Sequence, residues 1–239
     1  MKLNFNTDKI IAVCYPNFAG GKFLMNCLAL SRHATFQCKY RVAIDFNLDL
    51  NSISYYNSKL EMALESLPPD KQSMEKWRQY EFGCVQLFNW AAGEFCKDNL
   101  TDKIVSSEVK ILSNQNHKNF FIVAHSNFQV ERIIDYFPNT KILMLTDFVD
   151  FMIKARLLKD NSASFNLKNY KLNWNDINYS KYIDSFDKYK IDYTMSYIDI
   201  FEEDKFLDRV KILYDELGYD DFNRDLVQKF YQAYISLHI

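Results

Sequence analysis

The sequence predicts an α/β fold of three layers, a central and mostly parallel sheet flanked by helices, with a helical insertion in the middle of the chain and a helical C-terminus. Three observations predict it. Residues 9–15 form a continuous apolar run that leads into a proline and two glycines. Two further apolar runs, 120–124 and 141–146, stand on either side of an amphipathic stretch over 128–137. Much of the chain beyond residue 200 keeps helical spacing. An apolar run without alternation is the mark of a strand buried on both faces, as in a parallel sheet.

The first element is the strand over 9–15, Lys-Ile-Ile-Ala-Val-Cys-Tyr. After the glycines, Phe23, Leu24, Cys27, Leu28 and Leu30 recur at helical spacing with no breaker, so a helix over 22–32 starts at the glycine pair. Residues 48–67 have irregular spacing and stop at Pro68 and Pro69, whereas 71–99 reads as one long helix; about 48–100 is therefore expected to be a helical insertion. The strand over 120–124, the helix over 128–137, the turn Pro138-Asn139-Thr140 and the strand over 141–146 make a strand-helix-strand unit. A right-handed crossover sets these strands parallel to the first, and His125 and Asp147, just past their carboxyl ends, then gather at one rim. Helices are expected over 150–158, 202–217 and 221–237, with Gly218 capping the second, and a short strand over 193–197.

Composition narrows the function classes. No Pro/Gly/Ser-rich linker interrupts the 239 residues, so 1–239 reads as a single domain. A net charge of -2 supplies no global basic field for nucleic acid, and any anion site must be local. No apolar stretch approaches the roughly 20 residues of a spanning helix, and the first eight residues lack the plan of a signal peptide. The expected location is the cytoplasm. Cys14, Cys27, Cys38, Cys84 and Cys96 are odd in number and scattered without a C-x-x-C pair, which points to reduced thiols packed as small hydrophobes rather than disulfides or a zinc site.

The chemistry-bearing feature is the turn after the first strand, Tyr15-Pro16-Asn17-Phe18-Ala19-Gly20-Gly21-Lys22. The chain has only five glycines and four prolines, yet Pro16, Gly20 and Gly21 fall within six residues there. Glycines between a strand and a helix let backbone N–H groups turn toward an anion, and the helix N-terminus adds partial positive charge. Lys22 would add a point charge. Against the nucleotide-triphosphate pattern G-x-x-x-x-G-K-[ST], Pro16 replaces the first glycine and Phe23 replaces the hydroxyl residue that holds Mg²⁺. A plain strand-to-helix connection is the alternative reading.

Cys14-Tyr15-Pro16 followed by Gly20-Gly21-Lys22-Phe23-Leu24 resembles the phosphosulfate-binding loop of sulfotransferases, a branch of the P-loop proteins. Ala124-His125-Ser126, followed by Phe137-Pro138-Asn139-Thr140-Lys141-Ile142-Leu143-Met144-Leu145, is similar to the family's strand ending in histidine and its "FPxxKIIyl" strand. Tyr197-Ile198-Asp199-Ile200-Phe201, then Phe206-Leu207 and Leu217-Gly218, looks like its "YEDLF...F...I...LG" segment. The likeness runs from residue 10 to about 235, apart from roughly 40–115. It implies a P-loop-type fold and transfer of a sulfuryl group, without a metal, from 3'-phosphoadenylyl sulfate (PAPS) to a hydroxyl of a small molecule or glycan. It further implies His125 as catalytic base and Lys22 as the cation on the transferring group. Pro16, Asn17, Phe18, Ala19, Gly20, Gly21, Lys22 and Phe23 would lie along the donor. Where the family grips the 3'-phosphate with Arg and Ser, this chain has Thr146 and about Ile153, with Lys154 or Arg156 a turn further on.

Asp147 has two further readings, the acidic residue ending a Walker B strand, which would bind Mg²⁺ in a kinase or NTPase, or a helix N-cap. Ser126 and Asn127 are second-rank candidates for ligand contact. Trp77, Tyr80, Phe82, Phe88, Trp90 and Phe95 suit either an acceptor pocket or a core. His33, His117 and His238 show no matching acidic or thiol partner in sequence and read as surface residues. A degenerate P-loop module that binds a nucleotide or a partner without catalysis is the non-enzymatic alternative.

Overall fold

The computed structural model describes residues 9–15, 21–34, 37–38, 41–42, 51–65, 67, 119–124, 127–147 and 186–238. Strand β1, Ile10–Cys14, is buried along its whole length, as its unbroken apolar run requires. Helix α1, Gly21–Ala29, follows. Two short strands, β2 (Gln37–Cys38) and β3 (Arg41–Val42), pair antiparallel with each other. Helix α2, Ile53–Glu65, precedes β4, Phe120–Ala124, helix α3, Asn127–Tyr136, and β5, Lys141–Thr146. Then come β6, Tyr193–Ser196, a 3₁₀ turn, Tyr197–Phe201, and helices α4, Glu203–Leu217, and α5, Arg224–His238.

The sheet has the order β4, β1, β5, β6, and every pair is parallel. Side chains of a strand alternate between faces. Ile11, Val13, Phe121, Leu143, Leu145 and Met195 enter one core with residues of α1, α2, α4 and α5. The alternate set, Ile10, Ala12, Cys14, Ile122, Ala124, Ile142 and Met144, is buried too, so the opposite face is also covered. Helix α3 packs on β4 and buries Val130 and Ile133.

Backbone alternation also locates the chain after α1. Tyr15 N–H donates to the Ala124 carbonyl at 3.1 Å, so the even-numbered residues of β4 present their polar groups to β1. Asn119 then points the other way, and its N–H donates to the His33 carbonyl at 2.7 Å. Ala34 forms a parallel bridge to Asn119, which places residues 33–34 on the outer edge of β4.

Among its described side chains helix α1 has no exposed face. From Phe23 to Leu30 every residue is buried, because the helix lies between the sheet and α4 and α5. Carbonyls at and just past its end are satisfied partly by turn amides and partly by side chains: Tyr214 O–H donates to Cys27 O at 2.8 Å, and the buried Lys59 ammonium donates to Ala29 O at 2.9 Å and to Ser31 O. A cation at the negative end of the helix is the favourable arrangement.

Helix α2 falls within the stretch expected to be a helical insertion, although the spacing of residues 48–67 reads as irregular. Its buried positions, Tyr55, Lys59, Leu60, Met62 and Ala63, do repeat at helical intervals. One of them is a lysine, which hides the period from any hydropathy pattern. The C-terminal elements agree with their spacing: Gly218 caps α4 at φ 73°, and the amides of Gly218 and Tyr219 return to Asp215 O and Tyr214 O. The expected helices over 71–99 and 150–158 lie outside the described residues. No helix among the described residues is long and apolar enough to cross a membrane.

Candidate functional site

Parallel pairing brings strand ends together. Cys14 is level with Ala124 of β4 and with Met144 of β5, and Thr146 is level with Ser196 of β6. The chain winds from β1 to β4 on one side and returns to β5 on the other, so the reversal falls between β1 and β5. Crevices outside the carboxyl ends at such a reversal are where open α/β sheets bind ligands.

Helix α1 begins at this rim with Gly21, and its first-turn amides, those of Gly21, Lys22 and Phe23 among them, have no intrahelical acceptor. Such amides can donate to an anion. Gly21 has a second reason to be glycine: a Cβ there would overlap Cδ1, Cε1 and Cζ of the Tyr15 ring. That ring is 3% exposed and fills the space under the start of the helix. Phe23 gives its backbone to the first turn, but its ring points into the helix layer, 3.9 Å from Tyr234, 5.2 Å from Phe206 and 5.4 Å from Phe230 between centroids. A hydroxyl residue at this position is therefore replaced by a core aromatic.

Thr146 stands half-buried at the end of β5, and its hydroxyl lies 3.1 Å from Asp147 Oδ2 and 3.4 Å from Met195 O. Asp147 is exposed and has φ 58°, in the left-handed region rather than the extended one that an N-cap residue takes. Together these two residues present one hydroxyl and one carboxylate at the end of β5. Asn127 is the first residue of α3. Pro16, Asn17, Phe18, Ala19, Gly20, His125, Ser126, Ile153, Lys154 and Arg156 lie outside the described residues, as does the side chain of Lys22.

Sequence reasoning missed a polar cluster at the opposite end of α1. Asp221 accepts from Ser31 Oγ at 2.7 Å, from Arg32 N at 2.6 Å and from Tyr56 O–H at 3.0 Å. Asp220 receives Arg32 Nη2 on both oxygens, at 2.7 and 2.8 Å, and lies 2.7 Å from His33 Nε2. The hydrogen bonds from His33 and then Arg32 hold the Asp220 carboxyl below its ordinary value. Burial, followed by the charge of Asp221, pushes Tyr56 up to about 12. Ligand atoms of His33, Asp220 and Asp221 come within 4.8 Å of one another, a spacing that suits a metal. The carboxylates are already engaged by these donors, and the cluster is a latch tying the α4–α5 turn to the end of α1. Its only sequence signal was two polar runs directly after helix ends, Ser31-Arg32-His33 and Asp220-Asp221.

Comparison with known proteins gives no relative: no protein-family model, curated protein or solved structure matches this chain.

Proposed function

We propose that the chain is a transferase of the sulfotransferase type, which holds the sulfated 5'-phosphate of an adenylyl donor on the first turn of α1 and passes the sulfuryl group to a hydroxyl of a small molecule or glycan. The observation that carries the reading is the course of β1. A fully buried inner strand of a parallel sheet, next to the point where the winding reverses, leads through a Pro- and Gly-bearing segment into a helix whose first-turn amides, from Gly21 on, have no intrahelical acceptor. In this reading the amides and Lys22 stabilise charge on the leaving phosphate, and His125, which follows β4 in sequence, takes the acceptor proton.

Asp147 favours a second reading, a Mg²⁺-dependent kinase or NTPase, since its exposed carboxylate follows the strand beside β1. Phe23 opposes it, because its buried ring cannot supply the metal's hydroxyl ligand. A thermal-shift series with adenylyl sulfate, PAPS, PAP, ATP and GTP, each with and without Mg²⁺, separates the two, because a ligand that binds only the folded state raises the melting temperature. Stabilisation by the sulfate nucleotides that is indifferent to Mg²⁺ supports the transferase. Stabilisation by ATP or GTP that requires Mg²⁺ supports the kinase, and a flat series removes both.

A further inference from the structure

We propose that Asp147 makes the β5 side of the site reject a second phosphate, so that the preferred ligand carries one anionic group and presents a free hydroxyl to this carboxylate. The inference rests on the reading of the α1 N-terminus as an anion site and adds which nucleotide that site accepts.

Three observations converge on Asp147. It directly follows β5, the strand that borders β1 at the reversal of winding, so a ligand anchored at α1 and lying along the crevice meets it. Among the described residues that directly follow a strand of the sheet, Tyr15, Asp147 and Tyr197, it alone is charged, and the charge is negative. Its backbone is left-handed at φ 58°, the only such conformation at a non-glycine among the described residues. That conformation is unfavourable for any residue with a Cβ, though aspartate and asparagine tolerate it better than most. Strain of this kind at the rim of a ligand crevice is found where surrounding structure holds a side chain for use.

The carboxylate is held at one end. Oδ2 lies 3.1 Å from the Thr146 hydroxyl, which is itself 3.4 Å from the Met195 carbonyl of β6. Asp147 is otherwise exposed, and a carboxylate offers more lone pairs than one hydroxyl uses. It suits a hydrogen-bond donor such as a ribose hydroxyl. A phosphate in the same place would face a like charge and no cation from Thr146. For two like charges several ångströms apart at a partly screened rim, the penalty amounts to about a tenfold loss of affinity or more.

The test compares adenosine 5'-phosphate with adenosine 3',5'-bisphosphate by titration calorimetry in EDTA, on the full chain and on Asp147→Asn. Asparagine keeps the tolerance for left-handed backbone and removes the charge. The wild-type protein should bind the monophosphate at least about tenfold more tightly, and Asp147→Asn should narrow the gap mainly by improving bisphosphate binding. Raising the salt concentration on the wild-type protein should narrow it as well, a measurement that does not depend on the variant's folding. Tighter binding of the bisphosphate by the wild-type protein, or a ratio unmoved by both salt and Asp147→Asn, overturns the proposal and leaves the anion site standing. Failure of both nucleotides to bind overturns the anion site itself, and this inference with it.

Discussion

A missing Cβ does different work at the two described glycines. At Gly21 the Tyr15 ring occupies the space, so Gly21→Ala overpacks the start of α1 and should cost about 1–3 kcal/mol. At Gly218 nothing lies within 4 Å of an added Cβ, and only the left-handed backbone at φ 73° opposes Gly218→Ala, by about 1–2 kcal/mol. Urea titration distinguishes the causes: asparagine, which tolerates that backbone, should recover stability at 218 and none at 21. Lys59 gives a second prediction at this scale. Lys59→Met keeps the volume but leaves the Ala29 and Ser31 carbonyls without their ammonium, and should cost about 1–3 kcal/mol in the same titration. The sequence showed that position 21 is special and attributed it to an approaching anion. The ring beneath it was not legible, since nothing in the pattern says where Tyr15 turns after its strand ends.

The elements were legible wherever periodicity and burial coincide. β1, β4 and β5 are apolar runs in a parallel sheet, and α3, α4 and α5 carry their apolar faces at the expected spacing. β6 was legible only as a short strand. α2 was legible only as part of a helical insertion and not by its own period, because Lys59 sits in its buried stripe. The latch was invisible for another reason: His33 and Asp220 are 187 positions apart, and only packing of the α4–α5 turn on α1 makes them neighbours. The reading of cysteines as small hydrophobes holds at Cys14 in β1 and Cys27 in α1, both buried, with burial raising each thiol far above its ordinary value. Both should stay unmodified by a thiol reagent in the native protein and react only once urea has unfolded it.

At the scale of the whole molecule, pH acts from both sides. The Asp220 carboxyl is lowered by its hydrogen bonds from His33 and Arg32, so the latch contributes above the unfolded value near pH 4 and is lost as pH falls through the lowered folded value. Asp220→Asn should flatten the acid limb of the melting-temperature profile. Tyr56 and Tyr231 are pushed up to about 12, chiefly by burial, and Tyr214, Tyr219 and Tyr234 are raised by the same cause. The fold favours the neutral phenol, so this contribution is complete below about pH 10 and disappears as pH climbs toward 12. Tyrosinate absorbance should therefore rise together with loss of the helical circular-dichroism signal.

The proposed function rests on the arrangement of strand ends, which the sequence placed at one rim and the parallel sheet brings together there. His125, Lys22 and the loop residues enter the proposal from the sequence alone, through the glycine-bearing turn and a resemblance carried by a few short runs. Thr146 is where the sequence departs from that resemblance, since the family's arginine at this strand end is here a hydroxyl residue, and Asp147 adds a carboxylate beside it. The central claim, that the first turn of α1 holds a nucleotide's anionic group, is tested most directly by amide chemical-shift mapping during titration with adenosine 5'-phosphate. The account predicts saturable shifts concentrated at the amides of Gly21, Lys22 and Phe23 and at Asp147. Saturable shifts centred elsewhere, or amides of 21–23 that stay still at saturating nucleotide, would contradict it.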